Sequence, residues 1–122
     1  MKIIALEPYS PAALALLTAN GHDAEVSTDL SPAQKSETEV LLIRSHVHVS
    51  KSFLEPFKNL KLIVSATAGF NHIDWKAAKE KGITVAHTPR ANTQSAAELT
   101  LLLMLAWSRK LAVGTHSVKT HK

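Results

Sequence analysis

The run Val40-Leu41-Leu42-Ile43, closed by Arg44-Ser45, decides how this chain is read. Side chains of a strand alternate between two faces, so four successive apolar residues do not suit a strand with one face in water. They suit a strand covered on both sides, as in a parallel sheet, and the run is too short for a buried helix. Runs of the same kind stand at residues 2–6, 62–66 and 83–86, and a shorter candidate at 24–26 adds a fifth.

Helix signals fall between these runs. Ser10-Pro11 is an N-cap followed by proline at the first helical position, the run 12–19 follows, and Asn20-Gly21 stops it. Ser50 caps a short turn over 51–54 that Pro56 ends, and Asp74 caps a helix over 75–81 with Gly82 as its stop. The polar stretch 27–38 reads as a loop with one short turn after Ser31-Pro32. Strand and helix therefore alternate from residue 2 to 86, the pattern of right-handed βαβ units, and the expected fold is α/β with a parallel sheet flanked by helices.

The longest element comes last. Thr93 or Ser95 caps a helix through about residue 113, with Glu98 three residues beyond Ser95 as in a capping box. Leu99, Leu102, Leu103, Ala106 and Lys110 share one face, while Leu101, Met104, Leu105 and Trp107 cover most of the rest. A helix apolar nearly all round needs neighbours on several sides. The small sheet can supply one of them, so a second subunit or a further domain is expected for the others. The most apolar part, 96–107, contains Glu98 and falls short of the roughly 20 residues that span a bilayer. It reads as a buried helix, with no membrane partner, and Trp75 and Trp107 are expected in cores or interfaces.

Composition narrows the function classes. With 122 residues, 45% of them hydrophobic and 20% charged, the chain fits one globular domain with its own core. The absence of Cys removes disulfide scaffolds, thiol nucleophiles and Cys-based zinc sites, and it suits a reducing, cytoplasmic setting. The apolar start is too short for a secretory signal. The chain carries 14 Lys+Arg against 10 Asp+Glu, a net +4, yet Arg109, Lys110, Lys119 and Lys122 lie in a final stretch without an acid. The remainder is balanced at ten of each sign. The excess thus belongs to the C-terminal end, the close of the last helix and the basic tail 114–122 that carries Lys119 and Lys122, and nucleic acid is not an expected partner.

Ligands of open parallel sheets bind beyond the carboxyl ends of the strands. Those ends lead into Glu7-Pro8-Tyr9, Arg44-Ser45-His46, Thr67-Ala68-Gly69-Phe70-Asn71 and His87-Thr88-Pro89, which should share one rim. Together they offer a fixed positive charge, hydroxyls and a Gly-containing turn whose N–H groups could face an anion, the profile of a small-carboxylate site. The alternative is that Arg44 pairs with Glu7 and the glycine only shapes a turn. His46 and His48 would point the same way if extended, but no third ligand stands at a telling spacing and no metal is expected. His72, His116 and His121 read as exposed, and His87 as a rim residue bonding a loop or ligand. A G-x-S-x-G nucleophile elbow is absent, and a receiver-type phosphorylation domain would need acids where Glu7-Pro8 and Arg44-Ser45 stand.

Taken in order, Leu42-Ile43-Arg44-Ser45, Ala66-Thr67-Ala68-Gly69-Phe70-Asn71-His72-Ile73-Asp74, Gly82-Ile83-Thr84-Val85, and Thr88-Pro89-Arg90-Ala91-Asn92-Thr93-Gln94-Ser95-Ala96-Ala97-Glu98 with its leucine-rich helix resemble the D-isomer-specific 2-hydroxyacid dehydrogenases. Phosphoglycerate and glyoxylate/hydroxypyruvate dehydrogenases belong to that family. The resemblance spans about residues 40–113, and it implies a flavodoxin-like substrate-binding domain over 1–92 followed by an interdomain-type helix over 93–113. It implies that Thr67, Ala68 and Gly69 present N–H groups to a 2-hydroxy or 2-oxo carboxylate, with Arg44 and Ser45 close by. It also implies that Asn92, Glu98 and Thr100 lie at the hinge and near the nicotinamide of NAD(P). Asn71 stands where many members have Asp, and His87 where Asn is frequent. The G-x-G-x-x-G loop and the catalytic Arg, acid and His of the family have no counterpart here. The chain therefore reads as the amino-terminal part of such an enzyme, inactive alone and without tight NAD(P) binding. The competing reading is a non-catalytic carboxylate-binding or assembly module that forms a homodimer through the helix 93–113.

Overall fold

The computed structural model describes residues 1–120 and divides into two units, Met1–Pro89 and a second that begins at Arg90. His121 and Lys122, the end of the expected basic tail, lie outside the described residues. The first unit carries five strands, β1 (Lys2–Ala5), β2 (Asp23–Val26), β3 (Val40–Ile43), β4 (Leu62–Ser65) and β5 (Thr84–His87), with helices α1 (Pro11–Ala19), α2 (Pro32–Glu37), α3 (Lys51–Leu54) and α4 (Trp75–Glu80) between them. All pairings are parallel, and the strand order is β2-β1-β3-β4-β5. The chain runs outward in one direction from β1 to β2 and in the other from β3 to β5, so the order reverses between β1 and β3. That reversal point is where an open α/β sheet leaves a crevice for ligands.

The register brings Ile43, Ser65 and His87 level at the ends of β3, β4 and β5. One face of the sheet, from Ile4, Leu41, Ile43 and Ile63, packs against Val49, Leu54, Phe57, Ile73, Ala77 and Ala78 as the core. The other face is covered less: Leu42, Leu62, Val64 and Ala86 remain half-buried. Burial on both sides, expected from the unbroken apolar runs, is thus complete on one face only.

Ser10, Ser50 and Asp74 cap their helices as expected, each accepting from the N–H three residues on. Gly21 and Gly82 take positive φ after α1 and α4, where a Cβ would be strained. The stretch 27–38, expected as a loop with one short turn, carries α2 instead. Ser31 accepts from Gln34 N–H, Gln34 returns its side chain to the Ser31 N–H, and Pro32 sits at the first helical position. This reciprocal box suffices to start a helix from polar residues.

The second unit holds α5 (Thr93–Ser108) and α6 (Leu111–Thr120). Several expectations fail here. The cap of α5 is Asn92 without a side-chain bond, so no Ser95 capping box forms, and Glu98 accepts from Gln94 Nε2 at 2.9 Å along the helix. The single helix through about 113 is broken instead at Arg109-Lys110. Lys110 adopts φ 49, a left-handed conformation that ends a helix, and Gly114 N–H then bonds Lys110 O within the next one. Residues 114–120 of the expected basic tail are accordingly helical. No residue of α5 is buried, against the expected buried helix, and Trp107 is 87% exposed. Trp75, also expected inside, is half-exposed on α4. Among the described residues no helix is long and apolar enough to cross a membrane.

Candidate functional site

Glu7 follows β1 at the reversal point and is 7% exposed. Its carboxylate accepts from the backbone N–H of Arg44, just past β3, and from His46 Nδ1 at 3.0 Å. A carboxylate only accepts, so Nδ1 carries the proton of that imidazole. Burial pushes the Glu7 carboxyl up, but the bonds from His46 and from the Arg44 and His46 backbone outweigh it and hold the group below the ordinary carboxylate range. Tyr9 O–H, donating to Ile43 O at 2.8 Å, ties the same loop to the end of β3.

The expected alternative, a side-chain pair of Arg44 with Glu7, does not form. Glu7 is satisfied by Arg44's backbone and by His46, while the Arg44 guanidinium is exposed and has no hydrogen bond or ion pair among the described residues. A cation is therefore left available beside Ser45, which is likewise exposed. No three His, Asp or Glu side chains among the described residues gather as metal ligands.

The loop after β4 is built by a directional set of bonds. Thr67 Oγ1 donates to Gly69 O at 2.8 Å, which uses its only proton, so it accepts from Ser65 Oγ at 2.6 Å. Ser65 has then used its own proton, so His72 Nε2, 3.2 Å away, must donate to it. Ser65 is fully buried and His72 is half-buried; burial, aided by His48, lowers the His72 pKa, with Glu7 opposing. His72 is thus a structural donor at the base of the loop, not the exposed residue expected. His87 Nδ1 meets Ala68 O at 2.9 Å, the rim role expected of it, and its ring lies 5.0 Å from that of Phe70. Thr88 N–H bonds Thr67 O at 3.1 Å.

These bonds consume carbonyls and leave donors. The N–H groups of Thr67, Ala68 and Gly69 bond nothing among the described residues. Gly69 does not have a positive φ, and a Cβ there would meet nothing within 4 Å. The turn itself therefore does not require glycine. The arrangement offers successive free amide donors on the β4 end and a free guanidinium on the neighbouring β3 end, a combination suited to a small anion with two oxygens.

Of the expected site residues, Arg44, Ser45, Thr67, Ala68 and Gly69 share this rim, while Asn92, Glu98 and Thr100 belong to the second unit. Asn92 is the cap position of α5 there, and Thr100 Oγ1 bonds Ala96 O at 2.7 Å. A groove of about 630 Å³ lies beside the loop, lined by Phe70, Trp75, Lys79, Ile83, Val85 and His87. It is mainly apolar, and the residues with free amides are not among its lining. Sequence reasoning missed Ser65 and His72; the one available signal was a hydroxyl closing the otherwise apolar strand Leu62–Ser65.

Residues 3–121 match the family described as D-isomer specific 2-hydroxyacid dehydrogenase, catalytic domain. The chain is 36% identical over its whole length to D-3-phosphoglycerate dehydrogenase of Archaeoglobus fulgidus, covering 24% of that protein. It is 46% identical over 70% of its length to hydroxypyruvate reductase of Thermotoga maritima, covering 28% of it. It thus spans about a quarter of the length of the curated relatives it matches. Among solved structures, an NAD-dependent formate dehydrogenase from Staphylococcus aureus in complex with NAD matches 97% of the chain and 41% of its own, at TM-score 0.79 and 26% identity.

Proposed function

The chain belongs to the D-isomer specific 2-hydroxyacid dehydrogenases, and on that premise we propose that residues 1–92 are the substrate-binding part of an NAD(P)-dependent enzyme that oxidises a small 2-hydroxy acid or reduces the 2-oxo acid. The observation that carries this reading is the pairing of the free Arg44 guanidinium with the unbonded N–H groups of Thr67, Ala68 and Gly69 on adjacent strand ends. The guanidinium and the amides hold the carboxylate, Ser45 lies beside it, and C2 of the acid is thereby fixed for hydride transfer. The relatives named for phosphoglycerate and hydroxypyruvate chemistry support an acid of this class.

The nicotinamide supplies the hydride acceptor or donor when bound. The chain's four glycines, at 21, 69, 82 and 114, make no G-x-G-x-x-G turn between strand and helix. On this reading the chain alone is inactive, because holding a carboxylate does not lower the barrier to hydride transfer. Asn92, Glu98 and Thr100 are the positions assigned to the neighbourhood of the nicotinamide. The Cys-free composition suits a cytoplasmic enzyme.

The test is an amide-resolved NMR titration of the 122-residue chain with pyruvate. The expected result is saturable shifts at Thr67, Ala68 and Gly69, weakened about tenfold or more by Arg44→Ala, as loss of a charge-assisted bond implies. Gly69→Val should abolish the shifts by crowding the amide donors without lowering the melting temperature, since a Cβ there meets nothing within 4 Å. No shift in the unmodified chain refutes the carboxylate reading.

A second reading rests on α5. Its exposed Leu101, Leu102, Leu103 and Leu105 carry only Glu98 as a charged neighbour on the helix. A second copy of the chain offers an identical apolar surface, which makes a homodimer through α5 the simplest cover.

A further inference from the structure

The loop after β4 is held from behind. The carbonyls of Thr67, Ala68 and Gly69 are each occupied, by Thr88 N–H at 3.1 Å, His87 Nδ1 at 2.9 Å and Thr67 Oγ1 at 2.8 Å, while the N–H groups of the same three residues are free. In a trans peptide the C=O of one residue and the N–H of the next lie in one plane and point in opposite directions. Among the described residues no peptide bond is cis. Fixing a carbonyl therefore aims the following amide away from the anchor. The Thr88 bond aims the Ala68 N–H, and the His87 bond aims the Gly69 N–H.

We propose that His87 is a positioning residue of the carboxylate site: its Nδ1–H clamps the Ala68 carbonyl and so points the Gly69 N–H at the substrate carboxylate. The inference rests on the carboxylate reading given above. Ala68 O can only accept, so His87 is held with its proton on Nδ1, and protonation of the other ring nitrogen leaves the clamp intact. The Ala68 bond is the one with a side-chain donor from another strand; the Thr67 carbonyl is held by backbone, and the Gly69 carbonyl by its own loop. It is thus a point at which a substitution outside the loop can change its aim without cutting the chain's backbone bonds. The ring also lies against that of Phe70 at an interplanar angle of 59°, so loss of the donor and loss of the ring are separable.

Two variants separate them. His87→Phe keeps a ring beside Phe70 and removes the donor. His87→Asn gives up the ring but restores an N–H close to the position of Nδ1. Binding of pyruvate to the 122-residue chain is followed by NMR, together with the melting temperature and the amide shifts of the ligand-free loop. The inference expects His87→Phe to bind about tenfold more weakly and to move the free-state Gly69 amide signal, while His87→Asn recovers most of the affinity despite lacking the ring. A purely packing role gives the reverse order, with His87→Phe near normal and His87→Asn impaired, and overturns the inference. If the unmodified chain binds pyruvate and both variants bind equally well, the His87 role falls and the carboxylate site stands. If the unmodified chain binds no pyruvate, the carboxylate reading falls first and takes this inference with it.

Discussion

Glu7→Gln isolates the ionised acceptor at the sheet's reversal point. The side chain keeps its size, and its remaining carbonyl can still take the Arg44 N–H, but the acceptor is now neutral. A hydrogen bond to a charged group contributes about 1.5–3 kcal/mol and a neutral one about 0.5–1.5, so this bond loses roughly 1 kcal/mol. The His46 bond contributes less, because that side chain is 89% exposed and can turn to water. The expected loss is about 1–2 kcal/mol at neutral pH, which lowers the urea midpoint by on the order of 1 M for a slope of about 1–3 kcal/mol per M. The pH dependence has a definite sign. The folded pKa of Glu7 lies below its reference of 4.5, so the unfolded chain takes up the proton first as pH falls. The stabilisation is full above about 4.5 and is lost as pH drops through the folded value. Glu39, held low chiefly by Lys61, contributes to the acid limb of both proteins and cancels in their difference. Urea unfolding of both chains between pH 7 and pH 3 should show a gap that closes on acidification. A gap of equal size at pH 3, or none at pH 7, refutes the role given to the Glu7 charge.

Other consequences follow from the same geometry. Ser65→Ala should cost about 1–3 kcal/mol in chemical denaturation, because it removes the hydroxyl between His72 and Thr67 and leaves the His72 Nε2–H without its acceptor. A loss below a few tenths of a kcal/mol would mean that water replaces that hydroxyl freely. The α5 reading is checked by sedimentation: the unmodified chain should run as a dimer at tens of micromolar, and Leu103→Glu should run as a monomer with little change in melting temperature. An unmodified monomer at that concentration defeats it.

Most of the architecture was legible because burial left a periodic trace. Runs such as Val40–Ile43 and Leu62–Ser65 announce interior strands, and Ser10, Ser50 and Asp74 announce helix starts through a bond made within three residues. The rule that ligands sit beyond strand ends then brought Arg44 and the 67–69 loop together, and the parallel register between β3 and β4 agrees. The α2 helix was missed because its six residues have no apolar stripe and depend on one reciprocal cap. The break at Lys110 was missed because a left-handed lysine leaves no signature that a glycine would. The deeper bonds were invisible for another reason. Glu7 and His46 are 39 residues apart, and whether Arg44 offers its guanidinium or its backbone to that carboxylate is decided only when the two strand ends meet.

The loop at 67–69 also separates two properties that are commonly equated. Amide exchange with solvent requires a free N–H, whereas stiffness requires only that the peptide planes be held, and here the carbonyls alone hold them. Such a segment is rigid and yet unprotected against deuterium. Fast exchange at Thr67, Ala68 and Gly69 would therefore report donors kept vacant for a visitor, at little further entropic cost when one arrives.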